Sequence, residues 1–137
     1  MKIGFLSDIH EDVSSLHKAL ALLEKEKVDS IVCLGDIVGF ALPFYKNITE
    51  RDADTCIKLV KENCSDCVIG NHDLYAIKKT PTFNSGFNYQ ENWYLLDYDK
   101  RAKLARNKVW LYEDSEIPSL LSDESKEYLN GLDEYKA

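Results

Sequence analysis

Three short apolar runs in the first half of the chain each stop abruptly on acids, amides or histidines. Ile3-Gly4-Phe5-Leu6 runs into Ser7-Asp8-Ile9-His10, Cys33-Leu34 into Gly35-Asp36, and Cys67-Val68-Ile69 into Gly70-Asn71-His72-Asp73. Between the first two runs, Leu16, Ala19, Leu20 and Leu23 repeat at helical spacing, and Ala53, Cys56, Ile57 and Val60 do so between the second and third. A βαβαβ alternation of this kind implies parallel strands joined by right-handed crossovers. The strand ends then lie along one edge, where open α/β sheets bind ligands. Asp8, His10, Asp36, Asn71 and His72 are therefore expected to converge.

The element boundaries follow from the same pattern. Residues 2–7 read as a strand buried on both faces. Asp12 or Ser14 caps a helix that ends near Lys25 to Lys27, and residues 30–34 form the second strand. The segment from Gly39 to Glu50, with Phe40, Phe44 and Tyr45, reads as a loop that walls the site, or whose aromatics serve packing. A helix from Arg51 to Asn63 and a short strand from Cys67 to Ile69 follow. The signal then changes: Leu74 to Lys79 is a helical turn, Thr80 to Asn88 a loop, and Trp93, Leu96, Lys100 and Leu104 mark an amphipathic helix within 89–107. An irregular link through Trp110 and Tyr112 leads to a last helix over 122–132, capped by Ser122. No further strand is expected. The reading is one α/β domain, a βαβαβ portion over 1–79 followed by a mainly helical 80–137.

Composition narrows the function classes. At 137 residues, 45% hydrophobic and 30% charged, the chain has the make-up of an ordinary globular domain. A net charge of −7 argues against a broad grip on a nucleic-acid backbone, which needs clustered Lys and Arg. The first apolar run breaks at Asp8, too early for a signal-peptide core, and no stretch approaches the ~20 apolar residues of a membrane span. A cytoplasmic location is expected, with Cys33, Cys56, Cys64 and Cys67 as reduced, largely buried thiols.

Asp8 and His10 stand two residues apart on extended backbone, so both can turn to one side and share a cation. Asp36 brings two oxygens, enough to bridge a second ion, and Asn71 a neutral amide oxygen. Mixed oxygen and nitrogen ligation suits Mn, Fe or Zn. Two divalent ions ~3.5–4 Å apart clamp a phosphoryl oxygen and activate water for in-line attack. His17, on the first helix, lies away from this group and is expected at the surface or core rim.

Asp8-x-His10, Gly35-Asp36-x-x-Gly39 and Gly70-Asn71-His72-Asp73 resemble the first three blocks of the calcineurin-like metallophosphoesterases. The motifs cover roughly residues 1 to 75. The resemblance implies half of a four-layer α/β/β/α sandwich and hydrolysis of a phosphomonoester or phosphodiester. It implies that Asp8, His10 and Asp36 hold one metal, that Asp36 and Asn71 hold the other with Asp36 bridging, and that His72 acts beside the substrate phosphate, oriented by Asp73.

One departure accompanies the match. The family continues to a further His and a G-H-x-H block, whereas the histidines here are His10, His17 and His72. An incomplete domain is expected, binding at most one metal on its own and associating with itself or with a complementing chain. The alternative is a non-catalytic remnant that serves as a binding module.

Overall fold

A computed structural model describes residues 1–41, 50–83, 85–111 and 116–137, with backbone alone at Phe40 and Ala41. Phe44, Tyr45 and Tyr112, and the side chain of Phe40, lie outside the described residues. The fold is mixed α/β, built on a parallel sheet in the order β1-β2-β4, from strands β1 (Ile3–Leu6), β2 (Ser30–Cys33) and β4 (Asp66–Cys67). Helix α1 (Val13–Lys25) starts where the Asp12 carboxylate accepts from the Ser15 N–H at 2.9 Å, and α2 (Ala53–Asn63) where Asp52 accepts from Thr55 N at 2.8 Å. Each cap satisfies a helix-end donor that has no partner within the helix. Ala53, Cys56, Ile57 and Val60 are all buried. Leu16 is buried too, with Ala19, Leu20 and Leu23 packed half-buried around the core. Gly4 lets α1 lie directly on β1, since a Cβ there would come within 2.7 Å of Leu23 Cδ2.

The core therefore sits on one side of the sheet. The expectation that β1 is buried on both faces does not hold: Leu6 is buried, whereas Ile3 is 39% and Phe5 59% exposed. Side chains alternate along a strand, so only the set beside Gly4 meets the helices. The third strand is also shorter than expected and shifted. Val68 N still reaches Cys33 O at 3.1 Å, but Ile69 N donates to Asp133 O at 2.9 Å, so the chain's last segment takes over its hydrogen bonding.

The second half departs further from the expected pattern. Helix α3 (Asn71–Ala76) starts three residues before the expected turn, so Asn71 and His72 stand in its first turn. The expected helix over 89–107 is broken. A 3-10 turn (Trp93–Leu95) is followed by extended backbone at Leu96 and Asp97, and Asp97 caps a separate helix α4 (Tyr98–Ala105) by accepting from Lys100 N at 2.8 Å. Trp93 is buried with its ring edge-on to Phe87 and Tyr89, forming a packed aromatic cluster. An unexpected two-stranded ladder pairs β3 (Phe40–Ala41) antiparallel with β5 (Glu116–Ile117). Helix α5 (Asp123–Asn130) is capped by Ser122 as expected and buries Leu129 in the core.

The four cysteines are free thiols: Cys33, Cys56 and Cys67 are buried and Cys64 is half-buried. Burial pushes the Cys56 and Cys64 thiols up to about 12, which keeps both protonated and unreactive. His17 is exposed, as expected. Among the described residues, no helix is long and apolar enough to cross a membrane.

Candidate metal centre

The turns after the parallel strands are tied to each other through backbone. Asp8 N donates to Gly35 O at 3.3 Å, His10 N to Asp36 O at 3.0 Å, and Glu11 N to Ile37 O at 2.9 Å. The ladder continues the pairing of β1 with β2 into the loops, where the backbone takes unusual dihedrals. Asp8, His10, Glu11 and Asp36 all have φ between 48° and 65°, a region non-glycine residues adopt at a cost and mostly at functional sites. The third turn closes on the second through glycines. A Cβ on Gly35 would overlap the Gly70 nitrogen, and one on Gly70 would overlap the Asp36 nitrogen and carboxylate. His72 N donates to Asp36 Oδ1 at 2.9 Å across this contact.

Three side chains converge there. His10, Asp36 and His72 each offer a ligand atom, all within 4.8 Å of one another, and the two imidazoles meet edge to face with centroids 4.8 Å apart. His10 is buried, and its Nδ1 lies 3.0 Å from Gly39 O. A carbonyl only accepts, so Nδ1 carries the proton and Nε2 is the nitrogen able to ligate a metal. That nitrogen faces Asp8 Oδ1 at 3.7 Å. The Asp8 side chain is 67% exposed and its Oδ2 accepts from Ser7 Oγ. Asn71 is exposed at the start of α3. The two imidazoles and the Asp36 carboxylate form a group that could bind a metal ion.

His72 departs from the expected arrangement. Its Nδ1 lies 2.9 and 3.1 Å from the two carboxylate oxygens of Glu116, a residue outside every motif of the sequence. Asp73, expected to orient His72, instead accepts from Val38 N at 2.9 Å and Gly70 N at 3.0 Å, wholly buried. Burial pushes the Asp73 carboxyl up to about 6, against the pull of those backbone donors. Burial alone would lower the pKa of His72. The hydrogen bond and charge of Glu116, aided by Asp36 and Asp73, outweigh it, so the net direction is up. No local signal marks Glu116, which stands 44 residues from its partner.

A second buried carboxylate supports the same segment. Glu11, 2% exposed, pairs with Arg51 Nε and accepts from Gly39 N at 3.2 Å and from Ser119 Oγ. Arg51 Nη2 in turn donates to Ile117 O at 3.1 Å and Pro118 O at 3.0 Å. Residues 116–119 are thus strapped across the mouth of the strand-end loops.

The chain is similar to known proteins in sequence and in fold. The chain is 32% identical over 78 residues to an uncharacterized protein of Methanocaldococcus jannaschii, covering 56% of this chain and 28% of that protein. It superposes on a metallophosphoesterase from Sphaerobacter thermophilus with a TM-score of 0.54 and 27% identity, over 96% of this chain and 41% of the other. The chain thus spans less than half the length of either relative. The match to the calcineurin-like phosphoesterase family runs over residues 1–134, well past the motifs that end at Asp73. The chain belongs to the calcineurin-like phosphoesterase family.

Proposed function

We propose that this chain carries the metal-binding edge of a metal-dependent phosphoesterase acting on phosphomonoesters or phosphodiesters in the cytoplasm, with manganese as a suitable ion. The observation that carries the reading is the convergence of His10, Asp36 and His72 within 4.8 Å. Asp8, His10 and Asp36 would hold one ion in this chain, and Asp36 with Asn71 would supply part of a second site in the complete two-metal centre. Such ions supply Lewis-acid stabilisation of the phosphoryl oxygens and activation of water. The protein's own contribution is placement. The Gly39 carbonyl fixes the His10 tautomer, and the His72 N–H bond fixes Asp36. His72, beside the pair, serves the substrate phosphate as a proton donor or a charge stabiliser.

The test is hydrolysis of nitrophenyl phosphate and bis(nitrophenyl) phosphate by chelator-treated protein, with and without added manganese. A small metal-dependent rate, close to background, is the expected result for a chain that holds at most one ion, and equal rates with and without metal would count against the reading. As a proton donor, His72 would also show a leaving-group signature. His72→Ala should lower turnover ~10²–10⁴-fold on an alkyl ester and far less on a nitrophenyl ester. Equal losses would leave charge stabilisation as its role.

A second reading is a binding module that associates with itself or with a complementing chain. It is favoured by the open sheet face at Ile3 and Phe5. A monomer on sizing, together with metal-dependent turnover, would set it aside.

A further inference from the structure

We propose that Glu116 is a positioning residue for His72, holding the imidazole in one tautomer and one orientation so that Nε2 is the nitrogen presented to the Asp36 and His10 cluster. Both Glu116 oxygens lie within 3.1 Å of His72 Nδ1. The Glu116 side chain is 2% exposed and that of His72 13%. A carboxylate accepts and cannot donate, so Nδ1 carries a proton toward Glu116, and any proton that His72 gives to a leaving oxygen is the second one, carried on Nε2 of the charged ring.

Room for this carboxylate is provided by a missing side chain. Gly39 has φ 88°, and a Cβ there would overlap Glu116 Oε1 and stand 2.8 Å from His72 Cβ. Gly39 is the last residue of the Gly35-Asp36-x-x-Gly39 block, so the turn that supplies Asp36 also leaves the gap that Glu116 fills. Any other residue at this position would push the carboxylate off the imidazole.

The delivery of Glu116 is over-determined. Ala41 pairs with Glu116 and Phe40 with Ile117 in the β3–β5 ladder. On the far side, Arg51 holds the carbonyls of Ile117 and Pro118, and Ser119 Oγ accepts from Gly39 N at 3.1 Å while meeting the Glu11 carboxylate. A buried carboxylate costs several kcal/mol unless it is paired, and a strap with this many anchors places one against a single imidazole nitrogen. Metal-site imidazoles are tuned in the same way, by a partner on the ring nitrogen that does not react.

The turnover part of the test rests on the phosphoesterase reading, whereas the tautomer part does not. Long-range ¹H–¹⁵N correlation spectra of the ¹⁵N-labelled full chain, at a pH where the ring is neutral and assigned with His72→Ala, report which nitrogen carries the proton. Wild-type protein should show the Nδ1–H tautomer alone, and an Nε2–H tautomer would overturn the proposal without any variant. Glu116→Gln, nearly isosteric, should fold, give a mixture of tautomers, and lower kcat by ~10–100-fold with little change in KM. An unchanged tautomer and unchanged kcat in Glu116→Gln would reduce Glu116 to a structural residue. Wild-type protein without turnover would overturn the phosphoesterase reading, while a tautomer change in Glu116→Gln would still support the contact.

Discussion

The strand-end loops of residues 1–79 and the polar strap near residue 116 are held in place by different means. In the first region, position is set by backbone. Successive N–H groups of Asp8, His10 and Glu11 donate to the carbonyls of Gly35, Asp36 and Ile37, and the glycines at 35 and 70 bring backbone against backbone. In the second region, a two-residue backbone ladder at Glu116 and Ile117 is supplemented by side-chain tethers. Arg51 grips Ile117 and Pro118, Asp54 accepts from Ser122 N, and Glu134 accepts from Thr82 and Phe83. A backbone ladder tolerates most side-chain changes but no added bulk at its contacts. A tethered strap responds in the opposite way.

That contrast can be broken most severely at Gly70. Gly70→Ala would force a Cβ into the Asp36 nitrogen and carboxylate, neither of which can yield without opening the loop ladder. We expect a stability loss of ~4 kcal/mol or more, the range reached only by a few mechanisms, read by chemical denaturation. A loss of under ~1 kcal/mol would show that the close approach is soft.

The strap should be next in sensitivity. Arg51→Met removes the partner of buried Glu11 and two donors to the strap. A loss of ~3 kcal/mol is expected, because an unpaired buried charge remains. Adding Glu11→Gln should restore part of it, and a double variant no more stable than the single would show that the pair is not the anchor. Spectral changes at His72 should accompany the loss, since the same strap carries Glu116.

The smallest effect is expected at Asp54, on the outer surface of the second region. Hydrogen bonds from Ser125 and Ser122 hold its carboxyl below the ordinary value of 3.8. A lowered folded-state pKa means the contribution is fully present above that ordinary value and lost as pH falls through the lowered one. Solvent screening limits it to ~0.5 kcal/mol. Asp54→Asn should therefore lower stability slightly at neutral pH and leave it unchanged in strong acid, a difference measurable by thermal melts at both.

The same division explains what was legible in the sequence. Leu16, Cys56 and Val60 announce their helices because burial repeats at helical spacing. Asp8, His10, Asp36 and His72 stand out because each ends an apolar run. The strap was invisible, since Glu11 and Ser119 are 108 residues apart and contact one another only in the folded chain. The break before α4 is hidden for a local reason: Trp93, Leu96, Lys100 and Leu104 keep a helical period through Asp97, and the cap at Asp97 overrides it. β1 reads as doubly buried because an apolar run does not reveal which of its faces meets a neighbour. Adjacency in sequence pairs Asp73 with His72, whereas the helical turn directs Asp73 at Val38 N and Gly70 N.

The central claim is that Asp36, in contact with the third loop and grouped with both imidazoles, is the ligand on which metal binding depends most. Calorimetric titration with manganese of the wild-type chain, Asp36→Asn and Asn71→Ala tests it directly. Asp36→Asn keeps the side chain's shape and removes its charge. It should weaken the tightest site by more than ~100-fold, beyond the cost of losing an outer-shell partner, while Asn71→Ala leaves that site largely intact. Equal manganese affinity in both variants and in the wild type would contradict the account.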